Sequence, residues 1–291
     1  MQGDSGTGMG ARQPAPQDAR PGGRRQEGRR PVVGVIVPPA AGEVPPELPQ
    51  LYGSEIDFVA YGLALGQLTP QGYDAVIDKV AAAARDLVER GADAVALMGT
   101  SLSFYRGTDF NRQLVRTMGE ATGGLPVTTM SNAVVEALRA VGGNRVALAT
   151  AYTAEVNERL AIFLRDSGFS VAGTAALELV EIPDIHAVGD AQLLALGRRA
   201  IAASPGADAL LISCGGLRTL PVELPLERSL GIPVVSSAVA GAWAAARLTG
   251  HPGTVAGRTR LLGLAPPAGA SPAIRADHEG GEAIPERRAS R

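Results

Sequence analysis

The sequence predicts an α/β protein with two pseudo-symmetric, doubly wound lobes, parallel sheets and a site in the cleft between the lobes. Short apolar runs alternate with segments of helical periodicity, as in parallel strands joined by helices. The second half of the chain repeats the order of elements in the first. Hydrophobic residues make up 45% of the chain and aromatic residues only 4%, so aliphatic side chains build the core, as expected around buried parallel strands.

The first half opens on the β-branched run Val32–Val37, which we predict to be a strand. Residues 70–90 carry apolar side chains at spacings of three and four, a pattern typical of a helix, and Gly91 is the expected stop. The later elements of this half are a strand at Ala94–Met98, a strand entered through Gly124–Val127, and a helix at about 132–141.

The second half carries two short repeats of the first. Gly91–Ala94 and Gly206–Ala209 both read Gly-Ala-Asp-Ala, and Gly124–Val127 is matched by Gly231–Val234. We expect the aspartate of the first repeat, which precedes a strand in both copies, to be structural. The predicted elements of this half are strands at Val146–Thr150 and Leu210–Ser213 and helices from near Glu155, at about 190–203 and at about 239–248.

The predicted lobes lie between two tails. Residues 1–30 and 267–291 are polar, rich in Pro and Gly and without periodicity, so we expect them to be disordered. The first lobe is predicted to comprise residues 31–137 plus 236–266, and the second lobe residues 138–235.

Composition argues against several classes of protein. The net charge of −2 gives no basic field for nucleic acid, and no apolar run is long enough to span a membrane. The N-terminus lacks a signal-peptide core, so we expect a cytoplasmic protein. A single cysteine excludes an internal disulfide, and the three histidines (His186, His251 and His278) are too widely spaced to suggest a metal site.

Loops that follow predicted strands are the expected binding site, because ligands in such sheets bind beyond the carboxyl ends of the strands. Thr100 and Ser101 follow one strand and could cap a helix or donate hydrogen bonds to a carboxylate. Tyr152 could pack in the core or offer a third donor. The loops concerned are Pro38–Gly42, Gly99–Ser101, Ala151–Thr153 and Cys214–Gly216.

Cys214 is the strongest single candidate for function. A lone cysteine is most often a small buried hydrophobe, but this one ends an apolar strand and precedes two glycines, whose backbone can approach a ligand closely. Cys214 lies eight residues after Gly206, and Gly99 lies eight residues after Gly91. The duplication therefore predicts a thiol on one face of the cleft and none on the other.

Several long segments resemble a known family. They are Val37–Gly42, Thr69–Pro70 with Gly72–Val76, Leu97–Gly107, Val146–Tyr152, Val156–Leu160 and Ser213–Leu217. Over roughly residues 32–262 the chain resembles the arylmalonate decarboxylases of the aspartate/glutamate racemase superfamily. Racemases of that superfamily carry one cysteine in each lobe, and the resemblance places these two positions at Gly99 and Cys214.

The resemblance implies a cofactor-independent enzyme that converts α-aryl or alkenyl malonates into arylacetates or (R)-2-arylpropionates. Cys214 would protonate the enediolate, and no metal is implied. The expected partner is a small dicarboxylate, and the expected state is a monomer. The implied oxyanion-binding and site-shaping residues are Thr100, Ser101, Tyr152, Cys214, Gly215, Gly99, Pro38 and Pro39. The implied hydrophobic pocket is formed by Leu65, Leu68, Leu102, Ile182 and Ile185.

Three other functions compete with this one. A racemase or isomerase of the same superfamily needs a second acid at position 99, which glycine does not supply. A non-catalytic protein could bind a carboxylate with the same oxyanion-binding residues. A serine hydrolase is disfavoured, because neither Ser101 nor Ser213 lies in a Gly-x-Ser-x-Gly elbow.

Overall fold

The computed structural model describes residues 28–264, which form two four-stranded parallel sheets with equivalent strand orders. The orders are β2-β1-β3-β4 and β6-β5-β7-β8, so the predicted α/β class with two parallel sheets is confirmed. The strands are β1 Val32–Val37, β2 Asp57–Gly62, β3 Ala94–Leu97, β4 Val127–Thr129, β5 Arg145–Thr150, β6 Ser170–Ala176, β7 Ala209–Ser213 and β8 Val234–Ser236.

Helices connect the strands of each sheet. Among the described residues none is long and apolar enough to cross a membrane. The helices are α1 Glu47–Tyr52, α2 Pro70–Ile77, α3 Val80–Glu89, α4 Thr100–Phe104, α5 Gly107–Ala121, α6 Met130–Ala140, α7 Ala154–Asp166, α8 Ile182–His186, α9 Asp190–Ala202, α10 Leu220–Leu230, α11 Ser237–Arg247 and α12 Arg260–Gly263.

Strand β1 shows why the central strands have continuous apolar runs. Val33, Val35 and Val37 face a cluster that includes side chains of α1 and α11, whereas Ile36 faces the larger core on the other side of the sheet. Gly34 lets α3 pack closely, because a Cβ at this position would lie 2.9 Å from the Cβ of Leu87. A strand covered on both faces needs apolar residues at successive positions, not only at alternate ones.

The repeated aspartate has the same structural role in both halves. An Asp93 carboxylate oxygen accepts a 2.8 Å hydrogen bond from the backbone N–H of Val32, at the start of β1. An Asp208 oxygen accepts from the backbone N–H of Arg145 at the same distance, at the start of β5. Each half thus fixes the beginning of its first strand with the aspartate that precedes its third strand.

The helix predicted over residues 70–90 is in fact two helices, α2 and α3. The backbone N–H of Lys79 donates to the carbonyl of Val76, so the chain makes a tighter turn at this point and interrupts the regular helix. The apolar spacing continues across the break, which is why the sequence pattern does not show it. Gly91, with a φ of +88°, follows the second helix as expected.

Residues 1–27 of the first predicted tail and all of the second, residues 267–291, lie outside the described residues, as do residues 265–266 of the predicted first lobe. The last two residues of the N-terminal tail do contact the first sheet. Arg29 forms an ion pair of 2.7 Å with Asp93, and Arg30 pairs with Asp57.

Candidate active site

A cavity of about 390 Å³ lies at the carboxyl ends of strands from both sheets. The loops after β1, β3 and β7 line it, together with the segment after β2 and helix α8. This is the edge at which α/β sheets bind ligands. The residues predicted from sequence that line the cavity are Pro38, Pro39, Leu65, Leu68, Gly99, Thr100, Ser101, Ile182, Ile185, Cys214 and Gly215.

Two residues implied by the resemblance, Tyr152 and Leu102, are fully buried and do not line the cavity. The Tyr152 hydroxyl accepts a 3.4 Å hydrogen bond from the Ser213 hydroxyl. It lies beside the side chains of Cys214 and Thr100. The Cβ of Leu102 is 3.2 Å from the point where a Cβ on Gly99 would be. Both side chains therefore support the cavity wall from behind.

Cys214 follows β7 directly and is only 5% exposed, although it borders the cavity. Its φ of +155° is uncommon for a residue other than glycine, and such backbone conformations are found preferentially at functional sites. Burial raises the pKa of the thiol to about 11. The backbone N–H groups of Gly216 and Leu217 and the Tyr152 hydroxyl favour the thiolate, but their combined effect is smaller. The thiol therefore keeps its proton near neutral pH.

We expect the rate at which iodoacetamide alkylates Cys214 in the folded protein to rise with pH, with a midpoint near pH 11, because the thiolate is the nucleophile. A free thiol has its midpoint near 8.5. Mass spectrometry across a pH series measures this directly, since the chain has one cysteine. The same reaction in guanidinium chloride is the control. A folded-state midpoint at or below 8.5 would contradict the effect of burial.

Thr100 and Ser101 open helix α4, which is separated from β3 by Met98 and Gly99, and both are buried against the cavity. The Thr100 hydroxyl donates to the sulfur of Met130 at 2.9 Å. A thioether is a weak acceptor, so a carboxylate entering the cavity can take over this hydrogen bond at little cost. The Ser101 hydroxyl lies beside that of Tyr73, which has no well-aligned hydrogen-bond partner among the described residues.

Two buried serines hold the loop that carries these donors, and sequence reasoning missed both. The Ser103 hydroxyl donates to the carbonyl of Gly99 at 2.9 Å and lies 2.6 Å from the Ser131 hydroxyl. Ser131 in turn donates to the carbonyl of Thr100 at 3.0 Å. Helices α4 and α6 thereby fix the backbone from which the Thr100 hydroxyl projects.

Gly215 has no room for a side chain. A Cβ at this position would lie 2.7 Å from the Met130 sulfur, closer than real Cβ contacts allow. The same methionine contacts Thr100. Met130 therefore supports both loops of the carboxylate cradle, Gly99–Ser101 from the first half of the chain and Cys214–Gly216 from the second.

We expect Gly215→Ala to destabilise the protein by about 1–3 kcal/mol, because the added methyl group overpacks the site, and to reduce ligand binding by displacing Met130. Urea unfolding and substrate kinetics measure the two effects. Gly119→Ala is the matched control, since a Cβ there meets nothing within 4 Å and the residue lies within helix α5. Wild-type stability and kinetics in Gly215→Ala would show that the site relaxes freely.

The aliphatic side of the cavity joins the two halves of the chain. Leu65 and Leu68 come from the segment after β2, whereas Ile182 and Ile185 come from α8. The backbone N–H of Leu68 donates to the carbonyl of Val180 at 3.0 Å, and the side chains of Gln67 and Glu181 are hydrogen-bonded at 2.6 Å. This side of the cavity is therefore closed by contacts between the two halves.

Comparison with known proteins decides the family. The family model described as arylmalonate decarboxylase matches residues 33–262. The chain belongs to the arylmalonate decarboxylase family. It is 52% identical over 225 residues to the arylmalonate decarboxylase of Bordetella bronchiseptica, covering 77% of this chain and 93% of that one.

Solved structures of the arylmalonate decarboxylase family agree. A liganded double mutant of arylmalonate decarboxylase, with one glycine changed to cysteine and one cysteine to serine, matches with a TM-score of 0.77 at 50% identity. That match covers 79% of this chain and 98% of the other. A maleate isomerase of Nocardia farcinica is 28% identical over 239 residues, covering 79% and 94% of the two chains. The family thus lies in a superfamily that also contains isomerases.

This member of the arylmalonate decarboxylase family also has charged groups at its cavity that sequence reasoning missed. Glu43, His186 and Arg218 are exposed at the mouth, and Glu47 is buried in the wall. No local pattern in the sequence shows that α1 and the loop after β7 meet at one opening. Within residues 28–264, no three His, Cys, Asp or Glu side chains are grouped to hold a metal ion.

Proposed function

We propose that this chain decarboxylates α-aryl or alkenyl malonates, without an organic cofactor, to arylacetates or (R)-2-arylpropionates. One observation carries the proposal. The buried, protonated thiol of Cys214 borders the same cavity as the Thr100 and Ser101 hydroxyls, whereas Gly99 offers no acid. Membership of the arylmalonate decarboxylase family supports the same reaction.

One substrate carboxylate would lie in the cradle and accept hydrogen bonds from Thr100, Ser101 and the backbone N–H of Gly215. The hydroxyl of Tyr152, beside Thr100 and Cys214, lies behind these donors. The other carboxylate would lie against the aliphatic wall of Leu65, Leu68, Ile182 and Ile185, which Leu102 supports from behind. A carboxylate without hydrogen-bond partners is destabilised there, whereas neutral CO₂ is not.

Cleavage of the carbon–carboxylate bond leaves its electron pair on the α-carbon, from which the aryl ring and an enediolate in the cradle delocalise it. Donors aimed at such developing charge are typically worth about 3–4 kcal/mol each when removed. Cys214 then transfers its S–H proton to the α-carbon, and solvent reprotonates the thiolate. Because Pro38, Pro39 and Gly99 carry no acid on the opposite side, the proton reaches one face only.

The direct test is CO₂ release from phenylmalonate and from α-methyl-α-phenylmalonate by metal-stripped protein, followed by chiral analysis of the acid formed. We expect both to be turned over, the second to a single enantiomer. If the folded protein releases no CO₂ from either malonate, the proposal is wrong. Ligand binding without turnover would instead favour a carboxylate-binding protein.

The maleate isomerase relative supports a second candidate, an isomerase that acts on a related dicarboxylate. Incubation with maleate, followed by NMR for fumarate, tests it, and we expect no conversion because only one thiol borders the cavity. Conversion at rates like those with arylmalonates would favour this candidate.

We further propose that residues 31–137 with 236–266 form one lobe and residues 138–235 the other, in a cytoplasmic monomer. Contacts of α11 with α1 and α6 support the return of the chain to the first lobe. Light scattering during size-exclusion chromatography tests the monomeric state.

A further inference from the structure

The mouth of the cavity contains a pair of polar groups that the proposed reaction does not use. Glu47 and Arg218 both border the cavity, from α1 and from the loop after β7 respectively. The two side chains are close enough for the positive charge of Arg218 to favour the Glu47 carboxylate. Glu47 comes from the first half of the chain and Arg218 from the second, and both lie at the cavity.

Glu47 is the less expected member of this pair. It is 4% exposed, yet no other described side chain hydrogen-bonds its carboxyl group. Burial raises its pKa, and its own backbone N–H and Arg218 oppose that effect. A buried carboxylate normally has partners, so an acceptor position is left available on the cavity side.

Arg218 is the complementary donor. It is exposed, and it makes no ion pair or hydrogen bond to another residue in the described part of the chain. Partial burial and, to a smaller extent, the charge of Arg218 lower the pKa of His186, which also borders the mouth. His186 therefore stays neutral more readily, and Arg218 is the permanent cation at this opening.

Behind Glu47 lies a second carboxyl group, that of Glu223. It is buried, and one of its oxygens has no hydrogen-bond partner. Burial and the neighbouring charges of Glu47 and Glu227 raise the pKa of Glu223 to about 8. Glu223 is therefore mostly protonated at neutral pH. It does not line the cavity, so of these two neighbours Glu47 is the one that a ligand can reach.

The remaining cavity lining places the aryl ring. If the carboxylates occupy the cradle and the aliphatic wall, the apolar lining left for the ring includes Val44, Pro45, Pro46 and Leu217. Pro46 directly precedes Glu47 in sequence, and Leu217 directly precedes Arg218. A ring packed against this lining would lie near the polar pair, since both belong to the same cavity.

We propose that this mouth selects arylmalonates whose ring carries a hydroxyl group, which donates to Glu47 and accepts from Arg218. A hydroxyl is the small neutral group that both donates and accepts. A carboxylate on the ring would use Arg218 but would be repelled by Glu43 and Glu47. This inference rests on the proposed decarboxylase function.

The test compares kcat/KM for phenylmalonate with that for its 3-hydroxy, 4-hydroxy, 4-methoxy and 4-carboxy derivatives. We expect one hydroxy isomer to exceed phenylmalonate by about tenfold or more, with the methoxy compound gaining less because it only accepts. Glu47→Leu and Arg218→Leu should each remove most of this ratio. Arg198→Leu, which removes an exposed arginine of α9 outside the cavity lining, should leave it unchanged.

Calorimetric titration with phenylacetate and the matching hydroxyphenylacetate separates this inference from the proposed function. Tighter binding of the hydroxy compound, lost in Glu47→Leu, would support the polar pair even in a protein that releases no CO₂. Turnover of phenylmalonate with no advantage for either hydroxy isomer would overturn the inference and leave the decarboxylase proposal intact. A preference for the 4-carboxy compound would assign the mouth to an anionic group instead.

Discussion

Replacing Cys214 with Ala or Ser is expected to reduce decarboxylation by about a thousandfold or more. General acids typically contribute 10²–10⁴ in rate, and no other thiol exists in the chain. Serine keeps the size and a hydrogen-bonding group, but a hydroxyl is a much weaker acid than a thiol. Initial rates of CO₂ release with α-methyl-α-phenylmalonate measure the loss.

The control for this prediction is binding of a product-like acid, such as phenylacetate, to both variants. Because Thr100, Ser101 and Gly215 remain, we expect its affinity to change by much less than the rate. Urea unfolding should confirm that the variants are folded. Turnover in either variant within tenfold of the wild type would assign the proton to another donor.

Gly99→Cys is expected to create a second proton donor on the opposite face and to permit racemisation of 2-phenylpropionate. The backbone at Gly99 has a φ of −135°, which any residue can adopt. A Cβ there would lie 3.2 Å from the Leu102 Cβ and the Pro38 Cγ, so a shift of a few tenths of an ångström accommodates it. Chiral chromatography of one enantiomer over time, with deuterium uptake from D₂O, measures the new activity.

Gly99→Ala is the matched control, because it adds the same Cβ without sulfur. It should neither racemise the acid nor exchange its α-proton. If Gly99→Cys preserves optical purity and incorporates no deuterium, the two positions do not face one ligand from opposite sides.

The central strands could be predicted from sequence because both of their faces are buried. Strands β1, β3, β5 and β7 consist mainly of successive apolar residues. The edge strands β2 and β6 were missed, since they are partly exposed along their length and mix polar with apolar residues. Helix α10 was missed for another reason, because Pro225 lies inside it and proline normally ends a helix.

The positions of the thiol and of its glycine counterpart could be inferred from counting along a duplicated sequence. The polar mouth could not, because Glu47 and Arg218 are far apart in the chain and lie in segments without regular periodicity. The supporting serines were also hidden. Ser103 and Ser131 gain their role only when α4 packs against α6.

The contact between the segment after β2 and the segment before α8 contains a backbone amide whose hydrogen exchange reports the opening of the cavity. The backbone hydrogen bond from Leu68 to Val180 crosses between the two halves, beside the aliphatic wall. Separation of the halves on this side must break it and expose the Leu68 amide to solvent. The hydrogen-exchange rate of that single amide therefore measures how often the cavity opens on this side. Opening limits product release wherever it is slower than the chemical step.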